Sequence, residues 1–367
     1  MKRTRTAVAV FALIATTAGA EDAEVFQAPK RSGFELEGLV RHEWTRKVFV
    51  SATETTNSDR WRFRLVPRLT LGGERYNIKV GGDFNYGTDK NADPKPTLLR
   101  DNYDSRSARL DIAAVHLQPL SWIQADGGRI VMPIAFTEMI WDRDLRPQGG
   151  ALKLMVGPIG DGIEKVSVTG LYAVGSHVFD DVHTRLIAGS AAVRIKAGQD
   201  GHFEVAGSYL DWDRLDDLEP MIRRQNTRTA EGLIAEKFRV ADVVARVQMG
   251  GPAPMQLIAD YAWNTSISTQ NRGLWLAAVL GNLKDSRARL EYTYAKVDRN
   301  VTVAAFAGDD FFWGTGWLGH RLELATRTRD HVSGHLIGQL QKFKDSPRVE
   351  EQDHWVQRLR VELRFVP

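Results

Sequence analysis

The stretch Trp355-Val-Gln-Arg-Leu-Arg-Val-Glu-Leu-Arg-Phe365 puts Leu359, Val361, Leu363 and Phe365 on one face of an extended chain and Arg358, Arg360, Glu362 and Arg364 on the other. A strand with lipid on one side and water on the other needs this period of two. A soluble sandwich edge reads the same way, so recurrence decides between them. Tyr76, Ile78, Val80, Gly82, Phe84 and Tyr86 alternate with Arg75, Asn77, Lys79, Gly81, Asp83 and Asn85. Trp61, Phe63 and Leu65 alternate with Arg62 and Arg64, and Phe34, Leu36, Gly38 and Val40 with charged Glu35, Glu37, Arg41 and Glu43. The pattern implies an all-β chain folded as a transmembrane up-and-down antiparallel β-barrel.

The beginning of the chain carries a second message. Lys2, Arg3 and Arg5 precede an apolar run from Ala7 to Ala15, and Ala18-Gly19-Ala20 follows before Glu21. This is the form of a secretory signal peptide, so residues 1–20 are expected to be removed and residues 21–367 to form one barrel domain. Removal leaves 46 basic and 46 acidic residues, a net charge of zero. The pI of about 9.0 is therefore mostly a property of the leader, which argues against a nucleic-acid partner. There is no cysteine, which excludes disulfides and cysteine-based metal sites. No later run reaches the ~20 apolar residues of a membrane helix, and the mean hydropathy is −0.31. A chain of this kind enters a membrane only as a closed barrel.

Barrel strands are joined alternately by short turns and long loops. Short connections are readable at Gly72-Gly73, residues 158–162, 198–201, 284–286 and 329–331; long ones at residues 87–105, 141–149, 213–226, 298–319 and 344–353. Both termini belong on the short-turn side, so the two kinds must alternate throughout. Only residues 229–249 strain that rule, because Ala230 to Val240 also has a helical look; taken as one strand, the segment brings the count to about sixteen, within a range of fourteen to eighteen. If the first and last strands close the barrel, acidic side chains of one should lie beside basic side chains of the other.

Arginine outnumbers lysine 35 to 14, and much of it falls on the polar faces. Candidates for the lumen wall are Glu35, Glu37, Arg62, Arg64, Arg68, Arg75, Lys79, Arg358, Arg360, Glu362 and Arg364, which would set solute preference or simply pair with one another. Asp142, Arg143, Asp144 and Arg146 belong to a mixed-charge loop expected at the lumen wall or entrance; mutual ion pairing accounts for the two aspartates better than a calcium site. Ser333 lies between His331 and His335, but it shares a strand with His335 and no Gly-x-Ser-x-Gly elbow occurs, so catalysis is not expected. No cofactor or metal is expected either. Phe311, Phe312, Trp313, Trp317, Tyr292, Tyr294 and Trp263 cluster where strands meet loops and read as interfacial girdles or loop packing.

Two segments carry a resemblance. Residues 128–149, with Gly128-Arg129 taken as a strand start, Pro133, Trp141-Asp-Arg-Asp-Leu145 and Gly149, resemble the putative porins of Gram-negative bacteria. Residues 309–324, with their aromatic and Gly-rich run, are similar to the long loop and strand entry near the end of the same proteins. The terminal strand resembles the signal read by barrel-insertion machinery, although Val366 and Pro367 follow the aromatic Phe365. The resemblance implies a passive diffusion channel for small hydrophilic solutes in the bacterial outer membrane and brings no catalytic residues. It implies outer-membrane lipid and lipopolysaccharide as surroundings, and leaves homo-oligomer formation open. A channel for one cargo, such as an acidic polysaccharide or a specific nutrient, and a non-conducting envelope scaffold remain as alternatives.

Overall fold

The computed structural model describes residues 32–49, 55–88, 106–176, 184–215, 218, 226–284, 286–308, 311, 314–344 and 354–365. The signal-peptide segment lies outside them. The strands are β1 (Gly33–Phe49), β2 (Thr55–Gly72), β3 (Tyr76–Gly87), β4 (Arg106–Leu120), β5 (Ile123–Arg129), β6 (Pro147–Val156), β7 (Ile163–Ser176) and β8 (Arg185–Lys196). They continue as β9 (His202–Asp213), β10 (Arg239–Met249), β11 (Met255–Asn264), β12 (Arg272–Leu280), β13 (Ala288–Val297), β14 (Trp317–Arg329), β15 (Val332–Phe343) and β16 (Trp355–Phe365).

Each strand pairs with its neighbours in sequence, and β16 pairs antiparallel with β1, so the sheet closes on itself. The expected count of sixteen and the expected closure are both met. Short and long connections alternate around much of the barrel, but not strictly: residues 265–271 (β11–β12) and 281–287 (β12–β13) are equal in length, and residues 50–54 (β1–β2) are fewer than residues 157–162 (β6–β7). The ambiguous residues 229–249 supply one strand, β10, which starts at Arg239; residues 230–238 belong to the loop before it. The β2–β3 turn requires glycine: Gly72 has φ +119°, and a Cβ there would sit 2.2 Å from the Tyr76 carbonyl oxygen.

Alternation fixes the two faces. Tyr76 is 56% exposed and Val361 45%, whereas Arg360 and Glu362 on the opposite face of β16 are each 1% exposed. Ile78, Val80, Phe84, Leu363 and Phe365 also point outward. A one-residue slip would reverse all of them, and the register holds them where expected. Aromatics sort by this rule rather than by their nearness to loops. Trp263, Tyr292 and Tyr294 lie outside; the Tyr292 hydroxyl is 2.8 Å from His320 Nδ1, and His320 stacks towards Trp355 at 6.4 Å. Phe311 and Trp317 are buried inside instead, stacked at 4.4 Å. Phe312 and Trp313 lie outside the described residues.

Three expectations are corrected. Arg75 is exposed in the β2–β3 turn, not on the lumen wall, because alternation counted back from Tyr76 runs past the strand end. Gly128-Arg129 closes β5 instead of opening a strand. Finally, β16 reaches only to Phe365 opposite Gly38, so Glu35 and Glu37 lie beyond its end. Their cations come from the other side: Lys79 at 3.7 Å from Glu35, and Arg68 against Glu37.

The inner face is not uniform. Near the long-loop end, β7 to β13 turn inward Leu171, Leu186, Leu210, Trp212, Val240, Trp275 and Val297, all buried; toward the short-turn end the same faces carry Ser167, Arg194, Glu204, Arg246 and Arg289. An apolar surface inside a barrel needs a partner, and the loops supply it. Ile130, Ile134, Phe136, Met139, Ile140 and Trp141 from residues 130–146, and Val301, Val303 and Phe306 from the β13–β14 loop, join it in one buried cluster. With roughly 1.5–3 kcal/mol for each fully buried large apolar side chain, this packing holds the loops inside the barrel.

Closure makes a direct prediction. Val40 and Leu363 are cross-strand partners on the outer face, and the chain has no cysteine to confuse the result. Oxidation of a Val40→Cys/Leu363→Cys variant should cross-link the two ends of the chain, with a shift in mobility under non-reducing electrophoresis. A Val40→Cys/Leu359→Cys pair, four residues out of register on the same face, should cross-link far less.

Candidate functional site

The polar inner wall is built where β16, β1, β2, β3 and β4 lie side by side. Its centre is Glu43, fully buried, whose carboxylate meets three arginines on two neighbouring strands: it accepts from Arg60 at 2.6 Å on Oε1 and from Arg360 at 2.6 Å on Oε2, and Arg358 Nε lies 3.3 Å from Oε2 as an ion pair. One layer nearer the short turns, Glu362 takes Arg41 at 2.6 Å and Arg364 at 2.6 Å. Both arrangements follow from register, since Glu43 is paired with Arg360 and Arg41 with Glu362. The expected acid–base match across the closing seam is therefore present, with Arg41 and Glu362 in reversed roles.

Along β2 the inner residues continue the wall. Arg62 donates to the amide oxygen of Asn85 at 2.7 Å, and Arg64 to Asp83 at 2.8 Å, which Arg109 also approaches at 2.9 Å. Arg68 reaches Glu37 and lies 3.6 Å from Asp111. On the other flank Arg358 donates to the amide oxygen of Gln339 at 3.4 Å.

Residues 130–146 cross from β5 into the barrel and return to this wall. Thr137 donates its hydroxyl to the buried Asp260 of β11, and Met139 packs where Gly273 of β12 leaves no room for a Cβ. Arg143 pairs with Glu138 within the loop. Asp142 Oδ1 accepts the Asp144 amide at 2.8 Å, which turns the Asp144 carboxylate toward Arg64 at 2.7 Å; Arg146 lies 3.4 Å from Asp111. The four loop residues are thus divided: Asp144 and Arg146 meet the wall, Asp142 shapes the turn, and Arg143 stays within the loop. Partial burial opposes ionisation of Asp144, but the Arg64 guanidinium, with Arg62 and Arg146, outweighs it and holds the carboxyl well below the usual range. The pairing is complete above the ordinary aspartate pKa and is lost only as the pH falls through that lowered value.

Three asparagines fix the other loops, and no sequence motif marks them. Asn264, fully buried, donates to the carbonyls of Lys237 and Asn300 and accepts from the Arg239 amide. Asn226 donates to the Arg299 and Thr302 carbonyls and accepts from the Ala304 amide. Asn300 accepts from the Thr227 amide and donates to its hydroxyl. Each amide side chain thereby satisfies several loop backbone groups that would otherwise be buried without partners.

Ser333, His335 and Glu323 form a hydrogen-bonded chain, 2.8 Å from Ser333 Oγ to His335 Nε2 and 2.8 Å from His335 Nδ1 to Glu323 Oε1. Ser333 is the second residue of β15, beside the β14–β15 turn, with β14 and β16 on either side. Glu323 also serves Arg321 and Arg289. The group belongs to the charged inner network. Among the described residues no cluster of three or more His, Cys, Asp or Glu is placed to hold a metal.

A long-loop barrel with a charged inner wall and an infolded loop is the setting in which comparison becomes informative. A family model described as putative porin matches residues 28–271. The chain belongs to the putative porin family. Its place is the bacterial outer membrane, and its function is that of a channel for small solutes. Solved structures agree on the fold. Pseudomonas putida OprB at high pH has a TM-score of 0.58 at 12% identity, covering 92% of this chain and 94% of that one. Salmonella typhi OmpF, in complex with daunomycin, has a TM-score of 0.53 at 11% identity, covering 91% and 98%. Comparison with curated proteins gives no match.

The wall predicts its own weak point. Replacing Glu43 by Ala removes the carboxylate that Arg60, Arg358 and Arg360 share, and breaking a buried ion pair from one side costs roughly 3–5 kcal/mol. The variant porin should lose its heat-resistant folded band on electrophoresis at a clearly lower temperature than wild type. Exposed Arg75→Ala should not shift it.

Proposed function

We propose that this porin is a general diffusion channel: small hydrophilic solutes cross it passively, with no dedicated cargo and no catalytic step. The observation that carries the reading is the division of the interior. Apolar packing of residues 130–146 and the β13–β14 loop occupies one side, and the ion-paired wall of β1 to β4 and β16 lines the other. A polar wall facing a loop held in place by a hydrophobic core supports a fixed constriction along which hydrated solutes move. The wall residues Glu35, Glu37, Arg62, Arg64, Arg68, Lys79, Arg358, Arg360, Glu362 and Arg364 then act as pore lining, and Asp144 and Arg146 narrow the path from the loop side.

We further propose that residues 1–20 are removed on export, and that the outward aromatic and aliphatic surface meets outer-membrane lipid and lipopolysaccharide after delivery by barrel-insertion machinery reading β16. The hydrogen-bonded Ser333, His335 and Glu323 serve structure in this reading, since Glu323 is shared among arginines rather than reserved for an imidazole.

Planar-bilayer recording tests the proposal. The purified porin should give ohmic steps whose size rises in proportion to salt, and liposomes containing it should swell in several small neutral solutes at rates ordered by size. Saturable block by one solute would point to a dedicated channel. Electrical silence would point to a scaffold.

A further inference from the structure

The outward face of the barrel changes character at the long-loop end of β13 to β16. There one row of outward residues, each the register partner of the next, reads Lys296, Leu318, Lys342 and Trp355. With neighbouring strands about 4.8 Å apart, the two lysines stand roughly 10 Å from each other at their Cα atoms. Lys342 Nζ lies 5.9 Å from the centre of the Trp355 ring, and His320, one step further into the membrane, stacks towards the same ring. The acid that follows β13, Asp298, turns its carboxylate to the Arg272 amide at 3.0 Å. Below the row, β15 presents Leu340, Gly338 and Leu336 outward. Gly338 is the partner of Leu322 on β14 and Leu359 on β16, and a Cβ on it would meet nothing within 4 Å. The barrel does not require glycine there, and glycine weakens a strand interior. Its effect is a groove in the outer surface, walled by two leucines and running down from Lys342.

We propose that this groove and the lysine row above it hold one phosphorylated glycolipid of the outer leaflet, with its phosphate between Lys296 and Lys342 and an acyl chain along Gly338. The inference rests on the outer-membrane reading above and names a lipid site on that surface. Orientation supports it. Residues 298–316 and 344–354 join these strands beyond the lysine row, whereas only residues 330–331 join β14 to β15 at the opposite end, and the long loops of such barrels are extracellular. The leaflet at that height is the one that holds lipopolysaccharide, whose sugar anchor carries phosphate. An ammonium group binds phosphate as a point charge, and its attraction is stronger at the edge of the hydrocarbon than in bulk water. Trp355 and His320 sit at headgroup depth, where amphipathic rings are favoured, and offer flat surfaces to the sugar. The absent side chain at Gly338 lets a bound acyl chain approach the strand backbone closely.

Native mass spectrometry of the purified porin with the phosphorylated lipid anchor of lipopolysaccharide, beside the same anchor stripped of phosphate, reads the site. Wild type should retain one molecule of the phosphorylated anchor and bind the stripped one far more weakly. Lys296→Gln/Lys342→Gln should weaken binding about thirtyfold, the scale of two lysines at an anionic membrane surface. Gly338→Leu keeps both lysines, fills the groove and should also weaken binding. Both changes face outward and leave the inner network untouched, so the test does not depend on one variant folding. Equal binding of the two anchors would overturn the proposal, and variants that bind like wild type would overturn the assignment to β13–β16. A graded series of bound lipids with no step at one would mean ordinary annular lipid and would overturn it too. These results leave the outer-membrane reading intact. That reading fails separately, and takes the inference with it, if cell fractionation finds the folded chain outside the outer membrane.

Discussion

The constraint on which this structure depends is that no backbone N–H or C=O can face hydrocarbon without a partner. No helix among the described residues is long and apolar enough to cross a membrane, and the sixteen strands find their hydrogen bonds in neighbouring strands. That requirement is met only when β16 returns to β1. The seam then brings together residues more than 300 positions apart in sequence, and its inner face is where the densest ion pairing lies. Burying so many charges is tolerable because Glu43 and Glu362 are each shared by more than one guanidinium and the geometry is fixed by register.

The second consequence of closure is an interior surface that has to be filled or wetted. On one side it is filled by ion-paired side chains that are themselves mostly buried. On the other, the upper parts of β7 to β13 are as apolar as the core of a soluble protein, and they draw loops inward. Trp141, Trp212 and Phe306 stack with centroids 4.4–6.1 Å apart, one from each of two loops and one from β9. The infolded loop is therefore held by packing over much of its length, with the Thr137 to Asp260 and Asp144 to Arg64 contacts fixing it at two points. A constriction held this way is part of the barrel's core.

The strands were legible in the sequence because period-two alternation is a local property, and it is strongest on β1 to β3 and β16, where one face is uniformly apolar and the other charged. Closure and strand number followed from parity. The charged wall was legible for the same reason, except at Arg75, where alternation continued on paper past the point at which the strand turned. The interior was much less so. Ile130 to Ile140 reads as any apolar segment, and nothing local says that its partner is the inner face of β7 to β13. Asn226 and Asn300 are ordinary loop residues, and Asn264 an ordinary strand end, until three loops are brought together in space. Glu35 and Glu37 were expected to be neutralised across the seam, but the stagger of a tilted barrel carries β1 beyond the end of β16.

The central claim is that one face of every strand meets lipid while the other lines a closed interior. Single tryptophan substitutions stepped through residues 61–69 of β2 in a background lacking all ten native tryptophans, reconstituted in vesicles of brominated lipid, would test it residue by residue. Fluorescence should be strongly quenched at 61, 63, 65 and 69 and weakly at 62, 64 and 68. Quenching that is uniform along the strand, or that peaks at the arginine positions, would contradict the barrel.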